Sequence, residues 1–262
     1  MTRIYLSSDI LDPGLAGAVM ELDLETSKKL LKVLRLTPGE MFIGYDGLGH
    51  EWDCALVPPD EENPRARIAR AAILNQRDEA PPRKLHLSVA QAIPKGDKMD
   101  LVLQKGTELG VAEFWPFVAS RSVPEYDDDR AAARADRWRK IVQTAASQCG
   151  RADVPIVHAI AEFSTVVDYG TASSRCFMLD ELGDSGVLRE SLQQTPLCNE
   201  TGHSPSKAMI LVGPEGGWTE RERDWATRYG AEAVGLGRLV LRTETAALVA
   251  AAVLQWEAGE LD

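Results

Sequence analysis

Hydrophobic and polar positions change rhythm part-way along the chain. Over the first 77 residues the pattern is mostly that of strands. Residues 40–45 run into Asp46-Gly47-Leu48-Gly49, whose Asp-Gly pair signals a hairpin turn, and on into a second strand over 50–57. A polar stretch, 58–64, precedes a third strand-like run over 65–74. One short helix is predicted over 25–36, with Leu30, Leu31, Val33 and Leu34 as its apolar face. Asp78-Glu79-Ala80-Pro81-Pro82 then interrupts the pattern with two acids and a proline pair, a linker signal. A small β-barrel-like domain over 1–77 and a second domain over 83–262 are expected.

Beyond the linker, strands and helices alternate. Strands are predicted over 84–92, where Leu85, Leu87 and Val89 alternate as in a half-buried strand, and over 114–119, 175–180, 207–212 and 233–236. Helices are predicted over 97–109, with Asp97 as N-cap and Met99, Val102, Leu103 and Leu109 inward, and over 130–148, 187–193, 219–229 and 245–258. Repeated β-α units of this kind imply an α/β domain with a mostly parallel sheet covered on both faces. Ligands of such sheets bind at the carboxyl ends of the strands, so chemistry is sought in the loops that follow them.

The 262 residues, 44% hydrophobic and 26% charged, fit one large or two modest domains and exclude wholesale disorder. The longest apolar run, 246–254, is nine residues and falls short of a bilayer span. Residues 1–9 hold no secretory h-region, so a soluble, cytoplasmic protein with no membrane partner is expected. Cys54, Cys149, Cys176 and Cys198 form no C-x-x-C pair, and His50, His86, His158 and His203 lack metal-ligand spacing. No metal is expected, and Cys149 reads as a small core or surface thiol ahead of a nucleophile. A net charge of −11 argues against a surface coated in Lys and Arg for nucleic acid. Locally, Arg130, Arg134, Arg137, Arg139, Lys140 and Arg151 face one acid, Asp136, which is either a solvated helix face or a basic patch.

Two loops carry the strongest signal. In Gly213-Pro214-Glu215-Gly216-Gly217-Trp218 an apolar strand ends in three glycines, and a helix then opens on Thr219 with Glu222 three residues on, the capping-box pattern. Glycines there let a ligand lie against the backbone, although neither G-x-G-x-x-G nor G-x-x-x-x-G-K-[ST] is present, and a ligand-free turn is the alternative. The second loop, Gly235-Leu236-Gly237-Arg238-Leu239-Val240-Leu241, leads into a helix start flanked by Arg242 and Glu244. Three consecutive apolar side chains in a loop call for a cover: a partner subunit, a flat heterocycle or the rest of the chain.

These two loops, with Thr243-Glu244-Thr245-Ala246, Lys95-Gly96-Asp97-Lys98-Met99, Gln104-Lys105-Gly106-Thr107-Glu108-Leu109-Gly110 and Gln148-Cys149-Gly150-Arg151, closely resemble the bacterial ribosomal RNA small-subunit methyltransferase E family. The resemblance spans essentially the whole chain. One departure is Ser27-Lys28-Lys29, where the family often carries histidine. The resemblance implies a PUA-like RNA-binding barrel followed by a SPOUT-type α/β domain with a C-terminal trefoil knot. It implies S-adenosylmethionine as methyl donor, a homodimer, and N3 methylation of one uridine of 16S rRNA near the decoding centre of the small ribosomal subunit. By the same analogy Leu179, Gly213, Pro214, Glu215, Gly216, Gly217, Leu236, Gly237, Leu239, Leu241, Thr245 and Ala246 are the expected donor-site residues.

Uracil N3 is protonated at neutral pH, so its proton must leave and the developing anion must be stabilised. Arg242 is the candidate for that stabilisation. Glu244 is the nearest candidate base, although a helix N-terminus favours the charged carboxylate and weakens it as a base, so a role holding a loop amide or hydroxyl is the alternative. Because N3 lies on the Watson–Crick edge, the target base must be unpaired or extruded. Lys95, Lys98, Arg121, Arg134 and Arg151 are the candidate RNA contacts, with a salt-dependent affinity. A nucleotide-dependent oxidoreductase is disfavoured by the missing G-x-G-x-x-G after the strand at 84–92, and an unknotted methyltransferase would carry its glycine loop near that same strand. A non-catalytic protein that binds RNA and dimerises is the remaining alternative.

Overall fold

The computed structural model describes residues 1–6, 17–59, 68–78, 80–122, 128–181, 186–197 and 205–261, without the side chains of 128–130. Cys198, His203 and the start of the predicted run 65–74 lie outside them. The chain divides into two compact units, Met1–Pro81 with Ala146–Val154, and Pro82–Ala145 with Pro155–Asp262.

Unit 1 is built on a five-stranded sheet: β1 (Arg3–Tyr5), β2 (Val19–Glu21), β3 (Met41–Tyr45), β4 (Glu51–Val57) and β5 (Arg70–Gln76), in spatial order β1-β3-β4-β5-β2. The predicted hairpin is present: β3 and β4 pair antiparallel, Gly47 takes φ +79°, and the Asp46 carboxylate accepts from the Leu48 main-chain N–H at 2.7 Å. Alternation along β4 buries Trp52, Cys54 and Leu56 with Phe42, Ala71 and Ile73. The strand predicted over 65–74 begins at Arg70. The helix predicted over 25–36 is instead a short α1 (Leu24–Lys28), capped by the Asp23 carboxylate, followed by a π-helical turn, Lys29–Val33. Leu30 is fully buried and Leu34 packs beside it, whereas Leu31 and Val33 are 38% and 74% exposed. The i→i+5 turn spaces side chains differently from the 3.6-residue helix that the predicted face assumes, so Leu31 and Val33 turn outward.

In unit 2 a single sheet contains β6 (Leu85–Ala92), β7 (Glu113–Val118), β8 (Ile156–Val157), β10 (Arg175–Leu179), β11 (Gly186–Val187), β12 (Ser206–Val212) and β13 (Glu232–Gly235), while β9 (Ala161–Glu162) pairs with β7. The spatial order is β11-β13-β10-β12-β6-β7-β8, and every pairing is parallel. Helices α2 (Lys98–Glu108), α3 (Asp128–Cys149), α4 (Phe163–Ser173), α5 (Leu188–Gln194), α6 (Glu220–Arg228) and α7 (Thr243–Glu257) alternate with the strands. Ala90, Met209, Leu211, Cys176 and Met178 face Val166 and Val167 of α4 and Ala226 of α6. The intervening strand positions point to the opposite face, where α2 and α7 pack together and α7 lies on β6 and β12. This is the predicted α/β arrangement, with two corrections. β6 is buried on both faces from Leu87 onward rather than half-buried, as befits a central parallel strand. Asp97 precedes α2 but makes no capping hydrogen bond, and Leu109 is the C-cap, half-buried.

At the amino ends of β6 and β7, Glu113 accepts hydrogen bonds from His158 Nε2 at 3.1 Å, His86 Nε2 at 2.8 Å and Trp115 Nε1 at 3.0 Å. These donors, His158 first, hold its carboxyl far below the usual range against the opposing effect of burial. Such a group adds stability that is complete above the unfolded value of 4.5 and is lost as pH falls below it. Urea unfolding at a series of pH values should show this loss in the native chain, and Glu113→Gln should flatten it.

Candidate active site

Three adjacent parallel strands, β13, β10 and β12, end side by side. Strands lie roughly 5 Å apart in a sheet, so this order alone brings the loops after all three within reach of one small molecule. They line a single cleft of about 1100 Å³. Of the expected donor-site residues, the first glycine loop supplies Gly213, Pro214, Glu215 and Gly217, the second supplies Leu236, Gly237, Leu239 and Leu241, and Leu179 and Ala246 join them, with the catalytic candidate Arg242 on the same wall. Gly216 and Thr245 are not on the lining: Gly216 abuts Arg121, and Thr245 is exposed on the first turn of α7. Gly217 and Gly237 take φ +68° and +133°, which an L side chain resists. Leu239 and Val240 are 80% and 74% exposed, an apolar edge open to a ligand.

The first loop is held from beneath. Trp218 is buried and donates from Nε1 to the Leu179 carbonyl at 2.8 Å, tying the loop to the end of β10. Its ring lies so close to Gly213 that a Cβ there would sit 2.9 Å from it. Thr219 and Glu222 form the predicted capping box at the start of α6. Arg121 donates to the Gly216 carbonyl at 2.7 Å and, at 3.3 Å, to that of Trp218. On the other side, Thr243 Oγ1 donates to the Gly213 carbonyl at 2.6 Å and accepts from the buried Gln91 side chain at 2.8 Å, joining the loop to the start of α7.

Lys98 lies between two carboxylates, 2.9 Å from Glu215 Oε1 and 3.8 Å from Glu244 Oε2. Its hydrogen bond to Glu215 raises the ammonium's pKa. Glu215 also accepts from the Lys95 main-chain N–H at 3.1 Å, and these bonds outweigh burial to lower its carboxyl. Glu244 is buried, does not line the cleft, and its Oε2 has no hydrogen-bond partner. Arg242 is exposed on the cleft wall as the residue before α7.

Of the candidate RNA contacts, Lys98 and Arg121 thus brace the glycine loop, Lys95 is exposed beside it, and Arg134 is half-buried on α3. Arg151 belongs to unit 1, where its 10%-exposed side chain pairs with Asp153 at 2.7 Å. Pattern reading missed Asp180, the last residue of the predicted strand 175–180, and Glu181, which follows it, on the cleft wall where the carboxyl-end rule points. It also missed Arg189, which lies within the predicted helix 187–193, where nothing local points to a ligand. Among the described residues no cluster of His, Cys, Asp and Glu could hold a metal ion.

Known proteins resemble this chain. The RNA methyltransferase domain family matches residues 81–255. Ribosomal RNA small subunit methyltransferase E of Bacillus subtilis is 31% identical over 87% of this chain and 86% of its own length. The Mycobacterium bovis protein of the same name is 31% identical over 94% of this chain and 91% of its own. The crystal structure of ribosomal RNA small subunit methyltransferase E from Neisseria gonorrhoeae, bound to S-adenosyl methionine, is 32% identical, with a TM-score of 0.81 over 98% of this chain and 97% of that one. Two glycine loops closing one cleft at the strand ends, together with these likenesses along nearly the whole length, show that the chain belongs to the ribosomal RNA small subunit methyltransferase E family.

Proposed function

We propose that the chain is an S-adenosylmethionine-dependent methyltransferase of small-subunit ribosomal RNA, acting on N3 of one uridine of 16S rRNA near the decoding centre. In this reading it works in the cytoplasm as a homodimer, unit 1 is a PUA-like RNA-binding module, and unit 2 is a SPOUT domain with a C-terminal trefoil knot. One observation carries the proposal: both glycine-rich strand ends open into the same cleft. Among the described residues no helix is long and apolar enough to cross a membrane. The dimer is supported by Val249, Val253 and Trp256 of α7, spaced four and three residues apart and 38%, 38% and 68% exposed, a stripe that a second copy would cover.

The lining suits the donor. The main chain at Gly237 has open space where a Cβ would stand, the exposed Leu239 offers an apolar surface for a flat base, and Glu181 complements a cationic sulfonium. S-adenosylmethionine, when bound, supplies the methyl group. The chain's own work is alignment and electrostatics. Lys98 fixes Glu215, and through it the first glycine loop; Trp218 fixes the same loop to β10. Arg242, exposed on the wall, stabilises the negative charge that develops as uracil N3 loses its proton. Glu244 is assigned a positioning role, facing Lys98 from outside the lining.

The test is calorimetry with S-adenosylmethionine together with mapping of modified bases in 16S rRNA from cells lacking the protein. Binding near one donor per subunit and loss of a single N3-methyluridine are expected. No donor binding would favour the RNA-binding, dimerising scaffold instead.

A further inference from the structure

Helix α6 leaves the cleft rim and carries two aromatic rings on its surface. Trp225 and Tyr229 stack with centroids 4.8 Å apart and planes 23° from parallel, yet they are 38% and 47% exposed. At 100° per residue counted from Glu220, Arg228 and Arg221 fall at about 80° and 100°, and the rings at about 140° and 180°. Of the helix's acids, Glu220 and Asp224 fall at about 0° and 40°, beyond the arginines, and Glu222, at about 200°, is buried in the capping box, so the exposed rings border basic side chains. Among the described residues neither arginine has an ion-pair partner. By contrast Arg223, on the cleft side of the helix, is held by Asp180 at 2.7 Å.

We infer that this face of α6 is a stacking platform for an unpaired nucleotide of the RNA strand that delivers the target base. Two flat rings with cations alongside match the two things every nucleotide offers, a π face and a phosphate. Trp225 lies six residues beyond the N-cap Thr219, about 9 Å along the helix axis, so the platform stands a short step of extended strand from the cleft. A protein partner is less suited, because interface cores are depleted of charge and this patch has arginines against its rings. A second copy of the chain is also disfavoured, since the exposed α7 stripe lies on the opposite face of the sheet. That the nucleic acid is RNA rests on the function proposed above.

The full chain should be titrated with single-stranded RNA of roughly ten nucleotides, and with a duplex of the same length, by anisotropy of labelled RNA. Tighter binding of the single strand is expected. Trp225→Ala should weaken it by about tenfold, whereas Trp225→Phe, which keeps a ring, should weaken it less than about threefold. Arg228→Gln should lower the slope of log affinity against log salt by about one. Calorimetry with S-adenosylmethionine checks that each variant is folded. Unchanged single-strand affinity in both Trp225→Ala and Tyr229→Ala overturns the inference. So does a loss confined to assembled small subunits and not seen with naked RNA, which would identify a protein as the occupant. Methyl transfer by the unaltered chain is read separately. Trp225-dependent RNA binding without transfer supports the platform and removes the enzyme reading; transfer with Trp225-independent binding removes the platform alone.

Discussion

Arg242→Ala should lower the rate of methyl transfer by about a hundredfold or more and leave donor affinity within about threefold. The residue is exposed on the cleft wall and makes no capping hydrogen bond with its side chain. What it contributes to α7 is main chain, through the Ala246 N–H donated to its carbonyl at 2.8 Å, and alanine keeps that bond. Removing the guanidinium therefore subtracts charge without disturbing the helix start. In the proposed reaction the charge matters most when N3 of the base has lost its proton and least in the ground state, and an interaction of that kind appears in turnover rather than in affinity. Arg242→Lys, a point charge without the planar fork, should recover part of the rate. Single-turnover transfer and calorimetry on the same preparations decide the matter: weakened donor binding with unchanged turnover would show that Arg242 holds the donor instead.

The second large effect is structural. Trp218→Ala should destabilise the chain by about 3–5 kcal/mol and weaken donor binding with it. The ring is 3% exposed and stacks on Phe117 with planes 5° from parallel and centroids 6.1 Å apart. It also meets Phe163 at 5.5 Å, and its N–H is spent on the Leu179 carbonyl. Alanine leaves both a cavity and a buried carbonyl without its partner. Trp218→Phe fills most of the volume and loses only the hydrogen bond, for which about 1 kcal/mol is expected. Urea unfolding of the two variants separates the contributions. Equal stability of Trp218→Ala and the native chain would mean that the loop is anchored elsewhere.

Much of this was legible in the residues, and the gaps have physical causes. The Asp46-Gly47 hairpin, the Thr219–Glu222 capping box and the strands around residues 176 and 209 follow from local rules, and local rules act on a few neighbouring residues. Helix α4 was missed because its sequence, Phe-Ser-Thr-Val-Val-Asp-Tyr-Gly-Thr-Ala-Ser, is rich in poor helix formers. It forms because packing overrides propensity: Gly170 lets the helix settle so close to the sheet that a Cβ would lie 2.5 Å from Met209 Sδ. In the cleft, the glycines and apolar residues were readable as loops, but their convergence depends on β13 and β12 both lying beside β10 in the sheet. That is a property of strand order, which periodicity does not encode. Lys98 and Arg121 read as candidates for RNA because a cation's partner cannot be seen in a sequence; Glu215 and the Gly216 carbonyl claim them instead.

The place of β13 also sets a timetable. Translation delivers the β3–β4 hairpin early, then β10 and β12, and only afterwards the strand and loop that wall off the far side of Leu179. A nascent chain with a folded amino-terminal sheet thus has only half of the recess, and the wall is complete only once the last strand and its loop have emerged.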